Sequence, residues 1–475
     1  MPTPYDPETF RQQGHALIDQ LADYLSDQLD RAEQPVLPPI DPEAQAAYWA
    51  AELTSAQPPD LAGLLQATLD RSLHLHHPRN LGHQVAAPLP LAALVQVLTG
   101  LLNNGMAVYE TGPASSAQEQ VVLRALAQAM GFSADADGVL TSGGTLANLT
   151  ALLCARRLKA QPDVWQAGQQ QRLALMVSAE AHYCVDRAAR IMGWGEAGVI
   201  KVPTDDQGRM RSDQLPACLT QAQAEGLTVI AVVGSACSTA TGSYDDLSAL
   251  ADFCAAHDLW LHVDGAHGAA AALSLRYRAL VAGLARADSV AVDFHKMMLL
   301  PAPTTALLFG RGVDSYRTFA QEANYLWAEN EAPEWYNYAK RTFECTKRMM
   351  GTVAYLVWRM HGPQVFAEQV ETTYDLARAF AAEIEATGGM ELALPPQSNI
   401  VCFRCTPADV PATDWDALNA RLRAAVLAEG RYYLVQTRWR GQLWLRCTLM
   451  NPATTLADLQ GLLVELQAHM PTATP

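Results

Sequence analysis

Between about residues 90 and 310, short apolar or β-branched runs alternate with helical stretches, and no other feature restricts the fold as strongly. Leu173–Ala179, Val229–Ala236, Leu259–Asp264, Ser289–His295 and Thr305–Gly310 read as strands. Alternation of this kind implies a mainly parallel sheet covered by helices on both faces, an α/β architecture. Sheets of that type bind ligands beyond the carboxyl ends of their strands. Asp264 and Lys296 both stand at such ends.

The flanks follow other patterns. Residues 8–31 place Leu17, Ile18, Leu21, Tyr24 and Leu25 on one helical stripe, and Pro35, Pro38, Pro39 and Pro42 then break the helix into an extended connector. An N-terminal helical arm is expected over 1–88 and a large domain over 89–350. Beyond it, helices at Val353–His361 and 365–386, strands at 399–405, 432–437 and 442–449, and a helix at 455–469 predict a small α+β domain over 351–475. At 475 residues the chain exceeds what one core of about 250–300 residues accommodates, which agrees with this division.

With 33 Lys+Arg against 49 Asp+Glu, a formal charge of -16 repels polyanions, so nucleic acid is not an expected partner. The longest apolar stretches, such as Leu89–Leu102, fall short of the roughly 20 residues a membrane span needs. The opening MPTPYDPETF lacks the basic and apolar run of a secretory signal, so a cytoplasmic location is expected. Nine cysteines, an odd number, argue for reduced thiols. Cys402 and Cys405 lie in an alternating run that points them to opposite faces, and no second pair completes a zinc site, so no metal is expected.

The chemistry gathers in Leu261-His-Val-Asp-Gly-Ala-His-Gly268 and Ala287-Asp-Ser-Val-Ala-Val-Asp-Phe-His-Lys296. A carboxylate ending one strand and an amine after another suit pyridoxal phosphate: the amine bonds the aldehyde, and the carboxylate keeps the ring nitrogen protonated. As a surface ion pair the two would contribute only about 0–1 kcal/mol and do no chemistry. Three further segments fit the same ligand. Thr141-Ser-Gly-Gly-Thr-Leu-Ala-Asn148 opens a helix and offers Gly144 and Thr145 to a phosphate. His182 follows a strand, where an imidazole can stack on a ring. Ala236-Cys-Ser-Thr239 and Thr241-Gly-Ser-Tyr-Asp245 add hydroxyls, a glycine turn and an acid.

In this order the segments resemble the group II pyridoxal-phosphate-dependent amino-acid decarboxylases, a family of fold type I. His77-Pro-Arg-Asn-Leu-Gly82, Tyr109-Glu-Thr-Gly-Pro-Ala114 ahead of Glu119, and Leu445-Arg-Cys-Thr-Leu-Met-Asn-Pro-Ala-Thr454 carry the resemblance along most of the chain. It implies a fold-type-I enzyme that converts an L-amino acid to its amine and CO2, and a homodimer with active sites at the subunit interface. Lys296 would be the Schiff-base lysine and Asp264 the partner of the ring nitrogen. Gly144, Thr145 and His295 would lie near the phosphate, His182 and Ala266 on the two ring faces, and Thr239 beside the ring. Arg446 would receive the substrate carboxylate, and Lys347 stands where relatives often carry Arg. A tyrosine on a mobile loop protonates Cα in this family. The segment Ala332-Pro-Glu-Trp-Tyr336-Asn-Tyr338-Ala-Lys-Arg341 supplies Tyr336 or Tyr338 for that role.

The chain departs from the family pattern in two places. It has His267 where many relatives carry an aromatic residue after Asp-Ala-Ala, and Met297 where many carry Trp. The substrate is therefore left open: Asn80, His83, Asn103, Asn104 and His267 offer a polar pocket, Met297, Met298 and Leu299 an apolar one. Transamination, cysteine desulfuration or decarboxylation-dependent oxidative deamination would use the same lysine, aspartate and phosphate cradle. A more distant alternative is a non-catalytic metal-binding protein using His262, Asp264, His267 and His295.

Overall fold

Seven strands form the main sheet: β1 (Asp137–Thr141), β2 (Leu173–Ser178), β3 (Val199–Val202), β4 (Thr228–Ser235), β5 (Trp260–Asp264), β6 (Ser289–Asp293) and β7 (Thr305–Phe309), in the order β1-β7-β6-β5-β4-β2-β3. The computed structural model describes residues 4–30, 34–38, 41–58, 60–319 and 334–470. The five strands from β6 through β5, β4 and β2 to β3 pair in parallel, and β7 and β1 close the other edge in antiparallel register. The sheet is thus mainly parallel, as the alternation predicts.

Its strands are apolar on both faces because helices cover both. Leu175, Val177, Ala231, Val233, Val263 and Ala291 are all fully buried. Each Val or Leu so placed contributes about 1.5–3 kcal/mol relative to exposure. The strand pattern alone misses β1, where Asp137 and Gly138 interrupt the apolar run, and β3, which is only four residues long.

The helix Gly144–Lys159 starts immediately after β1, and Gly143 before it adopts φ +107°, a conformation in which a side chain is strained. Arg156, Arg157 and Lys159 in its last turn complement the negative end of the helix dipole. Its buried face carries Ala147, Asn148, Ala151, Leu152 and Ala155. Asn148 is the polar exception in that face.

The chain divides into two compact units: residues 88–377 with 394–400, and residues 1–87 with 378–393 and 401–475. Apart from Ile400, the second unit holds the sheet β10-β11-β9-β8, built from β8 (Met390–Leu392), β9 (Ile400–Cys405), β10 (Val435–Trp439) and β11 (Gln442–Thr448), all its neighbours for which a register is resolved being antiparallel. It also holds the N-terminal helix Pro7–Leu29, whose start is set by Asp6 accepting from Thr9 N and by proline at the first helical position.

Candidate active site

β5 and β6 are parallel neighbours that end side by side, with Asp264 paired opposite Ala291. Asp264 ends β5; Asp293 ends β6, and Lys296 follows one turn later. Lys296 Nζ lies 2.8 Å from Asp293 Oδ2, the aspartate buried and the lysine about one-fifth exposed. Burial works to lower the Lys296 pKa, but Asp293, and after it Asp264, overrule this and hold it above the ordinary lysine value. Burial likewise opposes ionisation of Asp293, yet Lys296, His295 and the Thr305 hydroxyl at 2.5 Å keep its pKa below the ordinary carboxylate value.

The glycine turn closes on the same place. A Cβ at Gly144 would stand 3.1 Å from Asp293 Oδ1 and 3.6 Å from the Ala266 methyl, so Gly144, Ala266 and Asp293 are mutual neighbours and only glycine fits without a shift. Thr145 is exposed in the first turn of the helix. His295 Nε2 lies 3.5 Å from Asp293 Oδ2, while its Nδ1 lies 2.9 Å from the Thr304 carbonyl.

His182 caps the helix Tyr183–Ile191, its Nδ1 accepting from Cys184 N at 3.3 Å. Ligand atoms of His182, Cys184 and Asp264 lie within 4.8 Å of one another, which brings His182 beside the Asp264 carboxylate. Burial lowers its pKa against the pull of Asp264, with Lys296 adding to the lowering. Thr239 is half-buried in the turn after β4. Asp245, in the same turn, braces the loop backbone by accepting from Met210 N at 2.6 Å and Ser235 N at 2.8 Å.

Lys296, Asp264, His182, Gly144, Thr145, Ala266, Thr239 and His295 all belong to the large unit. Asn104 is in the same unit, bonded to the Leu102 carbonyl at 3.0 Å and lining a cavity of about 520 Å³ with Ser142, Thr304, Glu344 and Lys347. His83 and Arg446 belong to the other unit. There the His83 pKa is lowered, by burial first and then by Arg446 and Arg423. Ala332 and Pro333 of the tyrosine segment lie outside the described residues.

The two tyrosines differ sharply. Tyr338 is fully buried, its hydroxyl donates to the Ser116 carbonyl at 3.2 Å, and Lys347 Nζ sits 4.2 Å from its ring centroid. Burial, then Glu119, raises its pKa well above the ordinary value. Tyr336 is half-buried, edge-on to Tyr109 at 5.4 Å between ring centroids.

Sequence reasoning passed over Asp293, Cys184 and Asn148. The strand-end rule that selects Asp264 applies equally to Asp293, so the signal was present. The two departures from the family pattern prove to be joined: His267 Nε2 lies 2.7 Å from Asn399 Oδ1, and Asn399 Nδ2 donates to Met297 Sδ at 3.4 Å. The histidines of the metal-binding alternative are engaged separately, His262 with Asn148 and Ser289, His267 with Asn399 and His295 with Thr304.

An amine and a carboxylate at adjacent strand ends, with a side-chain-free turn opening a 16-residue helix, match the aldehyde, ring nitrogen and phosphate of pyridoxal phosphate. Residues 61–406 match the family described as the pyridoxal-dependent decarboxylase conserved domain. The L-2,4-diaminobutyrate decarboxylase of Rhizobium meliloti (strain 1021) is 32% identical over 83% of this chain and 78% of its own length. The acidic amino acid decarboxylase GADL1 of Homo sapiens is 30% identical over 87% and 81%. The crystal structure of mouse CSAD superposes with a TM-score of 0.88 at 26% identity, covering 98% of this chain and 99% of that one. The chain belongs to the pyridoxal-dependent decarboxylase family. It is a pyridoxal-phosphate-dependent carboxy-lyase that acts on an amino acid.

Proposed function

We propose that the chain decarboxylates an L-amino acid with Lys296 as the attachment point of the cofactor aldehyde and Asp264 as the partner of its ring nitrogen. The observation that carries this reading is the placement of the two residues at the ends of adjacent parallel strands, beside the Gly144 turn. Bound pyridoxal phosphate supplies an electron sink for the bond pair released as CO2 departs. The remaining work falls to side chains of this chain. Gly144, Thr145 and His295 hold the phosphate end, His182 and Ala266 confine the ring, and Thr239 borders it. Asn104, in the same unit, lies toward the substrate side chain.

Protonation at Cα is assigned to Tyr336. Tyr338 has committed its hydroxyl to Ser116 and has no exposed surface, so it serves packing. A homodimer in the cytoplasm completes the reading. Its support is the helix Pro90–Leu102, which leaves Leu94, Val97, Leu98, Leu101 and Leu102 exposed, an apolar face suited to a second copy. No helix among the described residues is long and apolar enough to cross a membrane, and the charge of -16 disfavours nucleic acid.

The test is reconstitution with pyridoxal phosphate, followed by borohydride reduction, peptide mapping, and incubation with each common L-amino acid plus ornithine and diaminobutyrate. Expected are a visible band lost on reduction, label on the Lys296 peptide, and CO2 with an amine from one or a few substrates. Label elsewhere, or a keto acid as the main product, would refute the assignment.

A further inference from the structure

A row of buried polar side chains runs beneath the site without interruption. Trp260 Nε1 donates to Ser289 Oγ at 2.9 Å; Ser289 Oγ lies 2.9 Å from His262 Nδ1; His262 Nε2 lies 2.6 Å from Asn148 Oδ1. Asn148 Nδ2 donates to Cys184 Sγ at 3.2 Å, and Cys184 Sγ lies 3.9 Å from Asp264 Oδ2. Trp260, Ser289, His262, Asn148 and Cys184 are each at most 2% exposed.

The polarity of this row is fixed from its end. An ionised carboxylate only accepts, so the Cys184 thiol must point its proton at Asp264. Burial, with Asp264 next, raises the thiol pKa far above its ordinary value, so the proton is there to donate. The sulfur lone pair then faces Asn148 and receives an amide N–H, which turns Oδ1 toward His262. A neutral His262 must therefore carry its proton on Nε2 and accept from the Ser289 hydroxyl at Nδ1. Turning the Asn148 amide over would reverse the bonds between Cys184 and Ser289, leave Ser289 accepting from both His262 and the donor-only Trp260 indole, and set a sulfur lone pair against the carboxylate.

We propose that this row is a one-way hydrogen-bond line that orients the Asp264 carboxylate, making Cys184, Asn148 and His262 positioning residues for the protonation of the bound cofactor's ring nitrogen. The inference rests on the assignment of Asp264 to that nitrogen. Other charged or titratable groups around Asp264 are His182, Lys296 and, through Lys296, Asp293. None of them belongs to the row, so they are left in place by the substitutions that test it.

The experiment uses holoenzyme loaded with cofactor labelled with 15N in the ring, and reads the ring-nitrogen chemical shift and the pH midpoint of the visible band. Asn148→Asp puts an acceptor where the row needs a donor, and Cys184→Ala removes the last donor; Cys184→Ser restores one. Expected are a shift toward unprotonated nitrogen and a midpoint displaced by about one pH unit in the first two, with Cys184→Ser returning most of the way. A merely structural role would lower thermal stability and leave the nitrogen shift unmoved. If Asn148→Asp does not fold, the Cys184→Ala and Cys184→Ser pair decides alone. Identical shifts in wild type, Cys184→Ala and Cys184→Ser overturn the proposal. A wild-type protein that acquires no borohydride-sensitive visible band overturns instead the cofactor assignment on which it rests.

Discussion

Lys296 makes its ion pair with Asp293, three residues before it, at 2.8 Å, and Asp264 reaches the amine only as a weaker field. The Asp293 carboxylate also faces the Gly144 turn, so a side-chain anion stands where lysine and helix terminus converge. An amine bonds an aldehyde only through its lone pair, and the ion pair withholds that lone pair.

Asp293→Asn should therefore lower the pH at which Lys296 becomes nucleophilic by at least about one unit, since burial then dominates. Acylation of the cofactor-free protein by acetic anhydride across pH, read on the Lys296 peptide, gives the midpoint; equal midpoints would refute the claim. Stability carries the same signature. The lowered pKa of Asp293 contributes stability that is present above the ordinary value of 3.8 and lost as pH falls through its folded value. The raised pKa of Lys296 contributes stability present below 10.5 and lost as pH rises through its folded value. The variant should lack the part of the acid limb that belongs to Asp293.

Tyr336→Phe and Tyr338→Phe separate chemistry from packing. The first should reduce amine formation by roughly 10²–10⁴, the range typical of a lost general acid. The second removes a buried hydrogen bond to Ser116 and should cost about 1 kcal/mol of stability with amine formation within about twofold of wild type. Steady-state amine yield and urea unfolding read the two effects. A larger activity loss in Tyr338→Phe would reverse the assignment.

The parts of this molecule legible in its sequence are those with a local cause. Five strands of the main sheet appear as apolar runs because they are buried on both faces, and the paired strand ends expose Asp264 and Lys296 as candidates. β1 escapes because Asp137, one of its five residues, is an acid held by Arg341 at 3.0 Å, a partner more than two hundred residues away. Asn148 escapes for the same reason. In the sequence it is one polar residue of a helix, and only the fold brings it between His262 and Cys184. Tyr338 and Tyr336 are two residues apart in an aromatic-rich stretch, and nothing local distinguishes the buried ring from the half-buried one.

Lys347 and Glu119 form a buried pair at 2.5 Å, with Lys347 also donating to the Leu140 carbonyl at 2.9 Å and Leu140 N donating to Glu119 at 2.9 Å. Burial lowers the Lys347 pKa despite Glu119, a sign that desolvation is large here. Lys347→Met strands the glutamate and should cost about 3–5 kcal/mol. Adding Glu119→Gln keeps an acceptor for Leu140 N while removing the stranded charge, and should recover at least about half of that loss. Denaturant unfolding of the two variants measures both. A single-variant cost below about 1 kcal/mol would mean that the pair adds nothing to the fold.

His262 gives the pH dependence of the buried row. Complete burial pushes its pKa down to about 4, against the field of Asp264, from an ordinary value of 6.5. A depressed histidine stabilises the fold above its unfolded pKa, because below 6.5 the unfolded chain takes up a proton that the folded one refuses until about pH 4. In that window stability falls by up to about 1.4 kcal/mol per pH unit on account of this group. His262→Gln has no proton to take up. At pH 8 it should be less stable than wild type, having lost well-placed partners at Asn148 and Ser289. As pH falls from 6.5 toward 4, the deficit should shrink by about 2–3 kcal/mol, because only the wild type carries the protonation penalty. Thermal or urea unfolding of both proteins at half-unit pH intervals reads the gap directly. A gap that stays constant across this window would place the imidazole in an environment that accepts its charge, and would remove the basis for a single neutral tautomer between Ser289 and Asn148.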